Sequence, residues 1–575
     1  MMKPPERNFE DTGYEFLLTT LTEWGVDLYS GVTGGGVFHF LKYLSPFKPH
    51  QRNNVAEFLS LGEYSAGFVP LGYYLASGRI AAAIATMGAA TKLLSCGLTD
   101  AKLHDIPAVY LVPICRAGTE GYCPLQDTSL YGSNIVQQLQ AELPNSVFVL
   151  DNTATLTEKL TQAKVQLNNS KPVVLVLIHE VLTSPSPDHR PPATEQQMAV
   201  ANPAPFIEAF RQASAGRRVV VLAGEELARY PDANYLTTQL CAKLRAPIVW
   251  SINGANAVCR TNPYGYGYIS FGGNDRALTL WQSLGENDVL LAIGVCPDEY
   301  TINLQKISAA HTFFITNIRD AYGHIDNGFS HVSRGAYQHF YAPLDITLCA
   351  IIEAIEQQSF HNKHASPAPK ELNTGALPLP GKDYTDLAKL YQHLDSWWPI
   401  DSIGIDDVCL AYKDRQYVTQ RPNNNIQFYS LYRGSAMGGA YGAAIGARLA
   451  APQKTVFLFS GDGCFRLFAG CLGEAREIGV VLFLFNNANY SIVEQGLSKI
   501  IPDVPNEYYH SQLYSLDYCA IARASGWEAE KLKTDLSNLN GILNKLEKPP
   551  ARSMLIEVSV DPRQELGSNP RVRNL

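Results

Sequence analysis

Two apolar runs near the C-terminal end constrain this chain more than any other feature. Thr455–Val456–Phe457–Leu458–Phe459 leads into Ser460–Gly461–Asp462–Gly463–Cys464–Phe465, and Val480–Val481–Leu482–Phe483–Leu484–Phe485 leads into Asn486–Asn487–Ala488–Asn489–Tyr490. Each reads as a strand buried on both faces and stopped by a polar turn. Asp462 and Asn487 are 25 residues apart, about the span of one βαβ crossover. Strands joined this way run parallel, so both polar turns fall at carboxyl ends of neighbouring strands, where open α/β sheets bind ligands.

The residue types at those ends suggest what the ligand is. Asp462 offers a carboxylate, Asn487 an amide oxygen and Asn489 a backbone carbonyl. All are hard oxygen donors suited to Mg²⁺ or Ca²⁺, and Mg²⁺ commonly shares its octahedron with phosphates. Gly461 and Gly463 let the backbone approach a diphosphate closely. A helix expected to start near Phe465 would aim its positive end at that anion. Either turn alone is an ordinary loop; the ordered pair at this spacing is specific. It resembles the metal–diphosphate motif of thiamin diphosphate (ThDP) enzymes, which begins Gly-Asp-Gly and ends Asn-Asn. The resemblance implies ThDP and Mg²⁺ as cofactors. Gly461, Asp462, Gly463, Cys464, Asn487, Asn489 and Tyr490 would lie at the cofactor, with Asp462, Asn487 and Asn489 on the metal.

The rest of the chain is consistent with an enzyme of this size. At 575 residues it exceeds a single core, so two to four domains are expected. Repeated βα patterns give an α/β class, with three doubly wound parallel-sheet domains at 1–185, 200–360 and 383–560 and a polar tail at 561–575, either disordered or a flap. Pro-rich connections, Thr183–Pro192 and His361–Lys382, separate them. In the first domain a helix is expected from Asn8 to Trp24 and another from Glu57 to Ala76, with strands at Val26–Tyr29, Ile80–Ala85, Ala108–Val112, Val147–Leu150 and Val173–Ile178. In the middle domain strands are expected at Val219–Leu222, Ile248–Trp250, Val289–Ile293 and Thr312–Thr316. A net charge of −8 without a basic run argues against nucleic acid. No apolar stretch approaches the roughly 18–20 residues of a membrane span. Eleven cysteines lack any Cys-x-x-Cys pair; with no apolar leader, a reducing, cytoplasmic setting is expected.

Further blocks carry the resemblance through the chain. Glu63 is followed after nine residues by Gly72–Tyr73, the frame of the family's catalytic glutamate, which in these enzymes exchanges a proton with the aminopyrimidine ring of the cofactor. Glu57 is the runner-up. Thr86–Met87–Gly88–Ala89–Ala90–Thr91 and Leu98–Thr99–Asp100–Ala101–Lys102–Leu103–His104–Asp105–Ile106–Pro107 keep the frame of the next block without its usual Pro and Asn. Thr33 likewise stands where a Pro is common. Gln126, in Pro124–Leu125–Gln126–Asp127, matches a Gln that faces the thiazolium in acetolactate synthase-like members. No His-His pair, as in pyruvate decarboxylase-like members, lies in this region. Arg433–Gly434–Ser435–Ala436–Met437–Gly438–Gly439 resembles the segment whose Met wedges the cofactor into a bent shape. Met437 would be that wedge, and the Ser435 carbonyl would accept from the pyrimidine amino group. The family's Asp-x-Gly turn ahead of this block has no clear counterpart; Asp406, Asp407 and Asp414 are candidates. Some relatives bind FAD in the middle domain, and neither Tyr264–Gly265–Tyr266–Gly267–Tyr268 nor Asp326–Asn327–Gly328 maps to a signature for it, so FAD stays undecided.

The layout is nearest to acetolactate synthase and its relatives. That implies decarboxylation of a 2-oxo acid donor such as pyruvate and ligation to an acceptor carbonyl, in a homodimer or homotetramer with shared active sites. Glu63 of one subunit would then meet Asp462 and Met437 of another. Two other fates remain open: release of an aldehyde, or cleavage or hydrolysis of a C–C bond. An inactive binding subunit of the same fold is disfavoured by the joint presence of Glu63, Met437, Asp462 and Asn487.

Overall fold

The computed structural model describes residues 12–49, 55–116, 118–119, 121–187, 201–324, 328–358 and 360–574. The expected helix start at Asn8, the first connection beyond Pro187, and Asp326–Asn327 lie outside them. Among the described residues, strands form three sheets whose ladders are all parallel. The first contains β1 (Leu28–Gly31), β2 (Ser45–Pro46), β3 (Glu57–Ser60), β4 (Ala82–Ile84), β5 (Val109–Pro113), β6 (Val147–Leu150) and β7 (Val173–Leu177), in the order β2-β3-β1-β4-β5-β7-β6. The second contains β8 (Arg218–Ala223), β9 (Ile248–Trp250), β10 (Gly265–Tyr268), β11 (Asp288–Ile293), β12 (His311–Thr316) and β13 (Ala336–Tyr341), ordered β10-β9-β8-β11-β12-β13. The third contains β14 (Ser402–Asp406), β15 (Ile426–Ser430), β16 (Val456–Gly461), β17 (Val480–Asn486), β18 (Glu528–Lys531) and β19 (Met554–Ser559), ordered β15-β14-β16-β17-β19-β18.

The expected apolar runs are strands, buried as parallel strands must be. In the third sheet Phe459 pairs with Phe483 in register, and their rings stack at 5.3 Å. Such a pair adds about 0.5–1.5 kcal/mol beyond its area. Trp398, Phe457 and Phe485 join the same core layer.

Four expectations change. Glu57–Ala76 is not one helix: Glu57–Ser60 is β3, paired with both β1 and β2, and helices cover only Glu63–Ala66 and Val69–Ser77. Glu57 is therefore a strand residue, 1% exposed, where a helical reading had made it a rival to Glu63. The helix expected from Phe465 is a single turn, Asp462–Phe465, followed by short 3₁₀ turns. Glycines at 463, 470 and 473 lower the helical propensity of that crossover, and one turn has little macrodipole to offer. The tail is docked rather than a free flap: Gly272 N–H donates to the Ser568 carbonyl at 2.8 Å, and Arg571 pairs with Glu299 at 3.0 Å. The middle sheet gains β10 and β13, whose Gly-Tyr and His-Tyr patterns carry weak strand signals.

The molecule divides into two compact units. One comprises residues 1–197, 433–452 and 470–478, and the other residues 198–432, 453–469 and 479–575. The helix Gly439–Ala450 thus groups with the first sheet, although the sequence places it between strands of the third. Within that unit it crosses the helix Val69–Ser77 in backbone contact. A Cβ on Gly72 would lie 1.7 Å from the Ala443 carbonyl oxygen, and one on Gly446 2.0 Å from that of Val69. Only glycine permits that approach.

Candidate active site

In the second unit, the third sheet reverses its strand order between β14 and β16, the position where such sheets open a crevice. Gly461 ends β16 opposite Phe485 of β17 and caps the one-turn helix that starts at Asp462. Asp462 is 1% exposed, and among the described residues its Oδ2 has no hydrogen-bond partner. Burial pushes its carboxyl up to about 6, against the opposing pull of backbone N–H groups that include Ala488. A Cβ on Gly463 would lie 2.5 Å from the Tyr490 ring, so the turn and the ring are in contact. The Cys464 thiol bonds to the Val408 carbonyl at 3.2 Å. Its side chain therefore ties the turn to the loop after β14, and only its backbone is left for a ligand.

The paired asparagines divide their work. Asn486 Nδ2 donates to Glu557 Oε1 at 2.9 Å, tying β17 to β19. Asn487 Oδ1 accepts from the Asn489 N–H at 3.0 Å while its Nδ2 donates to Ser491 Oγ at 2.7 Å. Asn489 Nδ2 donates to Glu494, and its buried Oδ1 has no partner among the described residues. The loop is clamped from the far side: Tyr490 N–H donates to the Ser511 carbonyl and Leu513 N–H to the Ala488 carbonyl, both at 2.8 Å. Ser511 Oγ bonds Glu494 at 2.9 Å. Two buried oxygens without donors, Asp462 Oδ2 and Asn489 Oδ1, on adjacent strand ends are costly unless something positive meets them. The donor set and its environment fit an oxygen-loving divalent cation.

The three candidate aspartates separate cleanly. Asp406 is bonded by Arg415 at 2.5 and 2.6 Å and by Ser430 Oγ at 2.8 Å. Asp414 pairs with Lys413 at 2.6 Å, both 1% exposed. Asp407 accepts from Ser460 Oγ at 2.7 Å, directly beside the Gly461–Asp462 turn. Of the three, Asp407 is the one bonded to the residue before the Gly461–Asp462 turn, while Asp406 and Asp414 are held by Arg415 and Lys413. Sequence offered no way to rank them, because the deciding partner, Ser460, is 53 residues away.

The first unit holds Glu63, Gln126, Ser435 and Met437. Glu63 is the first residue of its helix, capped by Gly62, and is half-buried. The next residue, Tyr64, donates its hydroxyl to the Met437 carbonyl. That bond ties the Glu63 helix to the Met437 segment within one chain. Ser435 is exposed and left-handed at φ 49°. Gln126 is also exposed and left-handed at φ 59°; its Cβ lies 3.0 Å from where a Cβ on Gly88 would stand. Gly88 caps the helix Ala89–Leu103. The structure therefore brings Gln126 to the Gly88 turn and Tyr64 to Met437. Sequence reasoning missed Cys471, whose Sγ would lie 2.7 Å from a Cβ on Gly62 and whose carbonyl accepts from Tyr441 at 2.8 Å.

Comparisons with known proteins match the two ends of the chain separately, and the C-terminal match includes Ser435 and Met437. Residues 11–137 match "Thiamine pyrophosphate enzyme, N-terminal TPP binding domain" and residues 411–558 "Thiamine pyrophosphate enzyme, C-terminal TPP binding domain". The chain is 23% identical to acetolactate synthase isozyme 1 large subunit of Escherichia coli K12, over 96% of this chain and 95% of that protein. It is 25% identical to the isozyme 2 large subunit of the same organism, over 84% of each. The fold matches that of a Rhodococcus jostii RHA1 ThDP-dependent 4-hydroxybenzoylformate decarboxylase with a TM-score of 0.77 at 19% identity, covering 96% of this chain and all of that one. Benzoylformate decarboxylase from Polynucleobacter necessarius matches with a TM-score of 0.76 at 16% identity, over 96% and 99% of the two chains. Among the described residues no helix is long and apolar enough to cross a membrane. With both thiamine pyrophosphate-binding domains matched and relatives aligned along nearly its whole length, the protein belongs to the thiamine pyrophosphate enzyme family and is acetolactate synthase-like in sequence.

Proposed function

We propose that the protein binds ThDP with Mg²⁺, decarboxylates a 2-oxo acid such as pyruvate, and joins the remaining fragment to an acceptor carbonyl. The observation that carries the cofactor half is the pair of buried oxygens without donors, Asp462 Oδ2 and Asn489 Oδ1, on neighbouring strand ends. Asp462, Asn487 Oδ1 and the Asn489 carbonyl would hold the metal, with the backbone of Gly461, Gly463 and Cys464 and the Tyr490 ring beside the diphosphate. When bound, ThDP supplies the carbon nucleophile and the electron sink for loss of CO₂. Glu63 would hold and return the proton at the pyrimidine ring nitrogen, which calls for a carboxyl within hydrogen-bond reach of it. Met437 would support the bent cofactor and the Ser435 carbonyl accept from its amino group. Gln126 would orient the substrate. A homodimer or homotetramer belongs to this reading.

Ligation is favoured by the sequence of Gln126 and its neighbours and by the acetolactate synthase relatives. The decarboxylases among the similar folds favour the second reading, release of an aldehyde. A panel of 2-oxo acids, assayed for CO₂ with and without aldehyde and ketone acceptors and followed by mass spectrometry, separates them. Ligated products with CO₂ release are expected. Aldehyde as the sole product in every mixture overturns ligation, and no CO₂ from any acid overturns the proposal.

A further inference from the structure

We infer that Asp100 and His104 act as a positioning clamp on the Arg433–Met437 segment and thereby set how Met437 supports the cofactor, an inference that rests on the role proposed for Met437. The two residues lie one turn apart, Asp100 on the helix Ala89–Leu103 and His104 as its C-cap. They are 0% and 2% exposed. Asp100 Oδ1 accepts from the Gly434 N–H at 2.7 Å. His104 Nε2 accepts from the Arg433 N–H at 3.3 Å, and the Arg433 guanidinium reaches back to the Leu103 carbonyl at 2.9 Å. On the far side of the segment, Tyr64 donates to the Met437 carbonyl.

Three features make this more than incidental packing. A buried carboxylate is costly unless donors meet it, and one donor to Asp100 is the Gly434 backbone N–H, three residues before Met437. The clamp also dictates residue type at 434: a Cβ there would lie 2.1 Å from Asp100 Oδ1. Finally, Ser435 occupies a left-handed conformation at φ 49° although it is not glycine. Such a conformation persists where the surroundings over-determine it. Anchors at 433, 434 and 437 bracket that residue on both sides. The diphosphate residues are not part of the clamp, so its loss would leave metal binding in place and loosen the cofactor's ring end.

The test uses Asp100→Ala and Asp100→Asn in the full-length protein, each with Mg²⁺ and ThDP. Binding is read by quenching of intrinsic fluorescence, and proton exchange at C2 of bound ThDP by quenched-flow NMR at saturation. Asp100→Ala should bind within about threefold of the parent but exchange on the order of 10²-fold more slowly, the scale of a displacement of about 1 Å. Asp100→Asn keeps an acceptor for Gly434 and should recover most of the rate. Amide hydrogen exchange over 433–438 without cofactor should be faster in Asp100→Ala, a readout independent of turnover. Parental C2 exchange in Asp100→Ala, or equal loss in both variants, overturns the clamp. If Asp100→Ala does not fold, His104→Phe takes its place and should show the same pattern, more weakly; parental exchange there overturns the clamp too. If the parent itself neither binds ThDP nor exchanges C2, the functional reading fails instead.

Discussion

The proposed metal–diphosphate corner and the residues proposed for the pyrimidine side are built on different principles. At the corner, Asp462 and Asn487 each follow the end of one of two paired strands, so the register that aligns Gly461 with Phe485 brings them together. On the proposed pyrimidine side, Glu63, Gln126 and Met437 come from distant segments: a hydrogen bond from Tyr64 ties the Glu63 helix to Met437, and Gln126 packs instead on the Gly88 turn. Both carry left-handed non-glycine residues, Ala488 in the corner and Ser435 and Gln126 on the other side, and the corner adds the buried oxygens of Asp462 and Asn489, which have no donor among the described residues. Damage to the first should therefore appear in binding, and damage to the second in catalysis.

The largest break in that comparison is expected from Glu63→Gln. The variant should retain Mg²⁺–ThDP binding while C2-proton exchange falls by about 10²–10⁴-fold, the usual cost of a lost general acid. Exchange at the parental rate would remove Glu63 from the proposal.

Next in size is Asp462→Ala. Ligand at 100 times Kd stabilises a folded protein by about 2.7 kcal/mol, and this variant should lose the whole thermal gain from Mg²⁺ with ThDP. A parental gain would move the metal elsewhere.

Glu494→Ala should cost about 10-fold in metal affinity, the lower end of what a residue orienting a ligand contributes. Turnover at saturating Mg²⁺ should stay near parental. Titration with Mn²⁺ followed by electron paramagnetic resonance reads the affinity directly.

The smallest effects sharpen the corner itself. Asn486→Ala should cost about 1 kcal/mol of stability through its bond to Glu557 and leave the Mg²⁺ response intact, in contrast to Asn487→Ala. The pH dependence of Asp462 has a definite sign. Burial raises its folded carboxyl to about 6, so without metal the folded chain holds this proton more tightly than the unfolded one. That stability is present below the ordinary carboxylate range and is lost as pH rises through about 6. Asp462→Asn should flatten this dependence in thermal melts of the metal-free protein. With Mg²⁺ and ThDP the parental trend should reverse, because the cation needs the carboxylate.

The corner was largely legible in the sequence because its signals are local. An apolar run ending in Gly-Asp-Gly and another ending in Asn-Asn each declare a strand and its carboxyl end, and one crossover length links them. The same logic recovers β5, β7, β9 and β11 within a residue or so at each end. It fails at Glu57–Ser60, where four residues beside a helix carry no distinct alternation, and at β10, where glycine and tyrosine hide a strand. It also assigned the tail too much freedom, because the bonds that hold it come from Gly272 and Glu299, far back in the chain.

The sequence alone determined the family, through its motifs, and the α/β class and the pairing of the strands that end at Asp462 and Asn487, both consequences of periodicity and short spacing. Tertiary structure alone decided that Asp407, and neither Asp406 nor Asp414, sits at the turn, that Asn486 serves the sheet while Asn487 stays in the loop, and that Asp100 and His104 grip the backbone ahead of Met437. Each of these depends on a hydrogen bond to a partner tens or hundreds of residues away. Which acceptor a buried donor finds is settled by the path of the packed chain, and residue type and spacing do not encode that path locally.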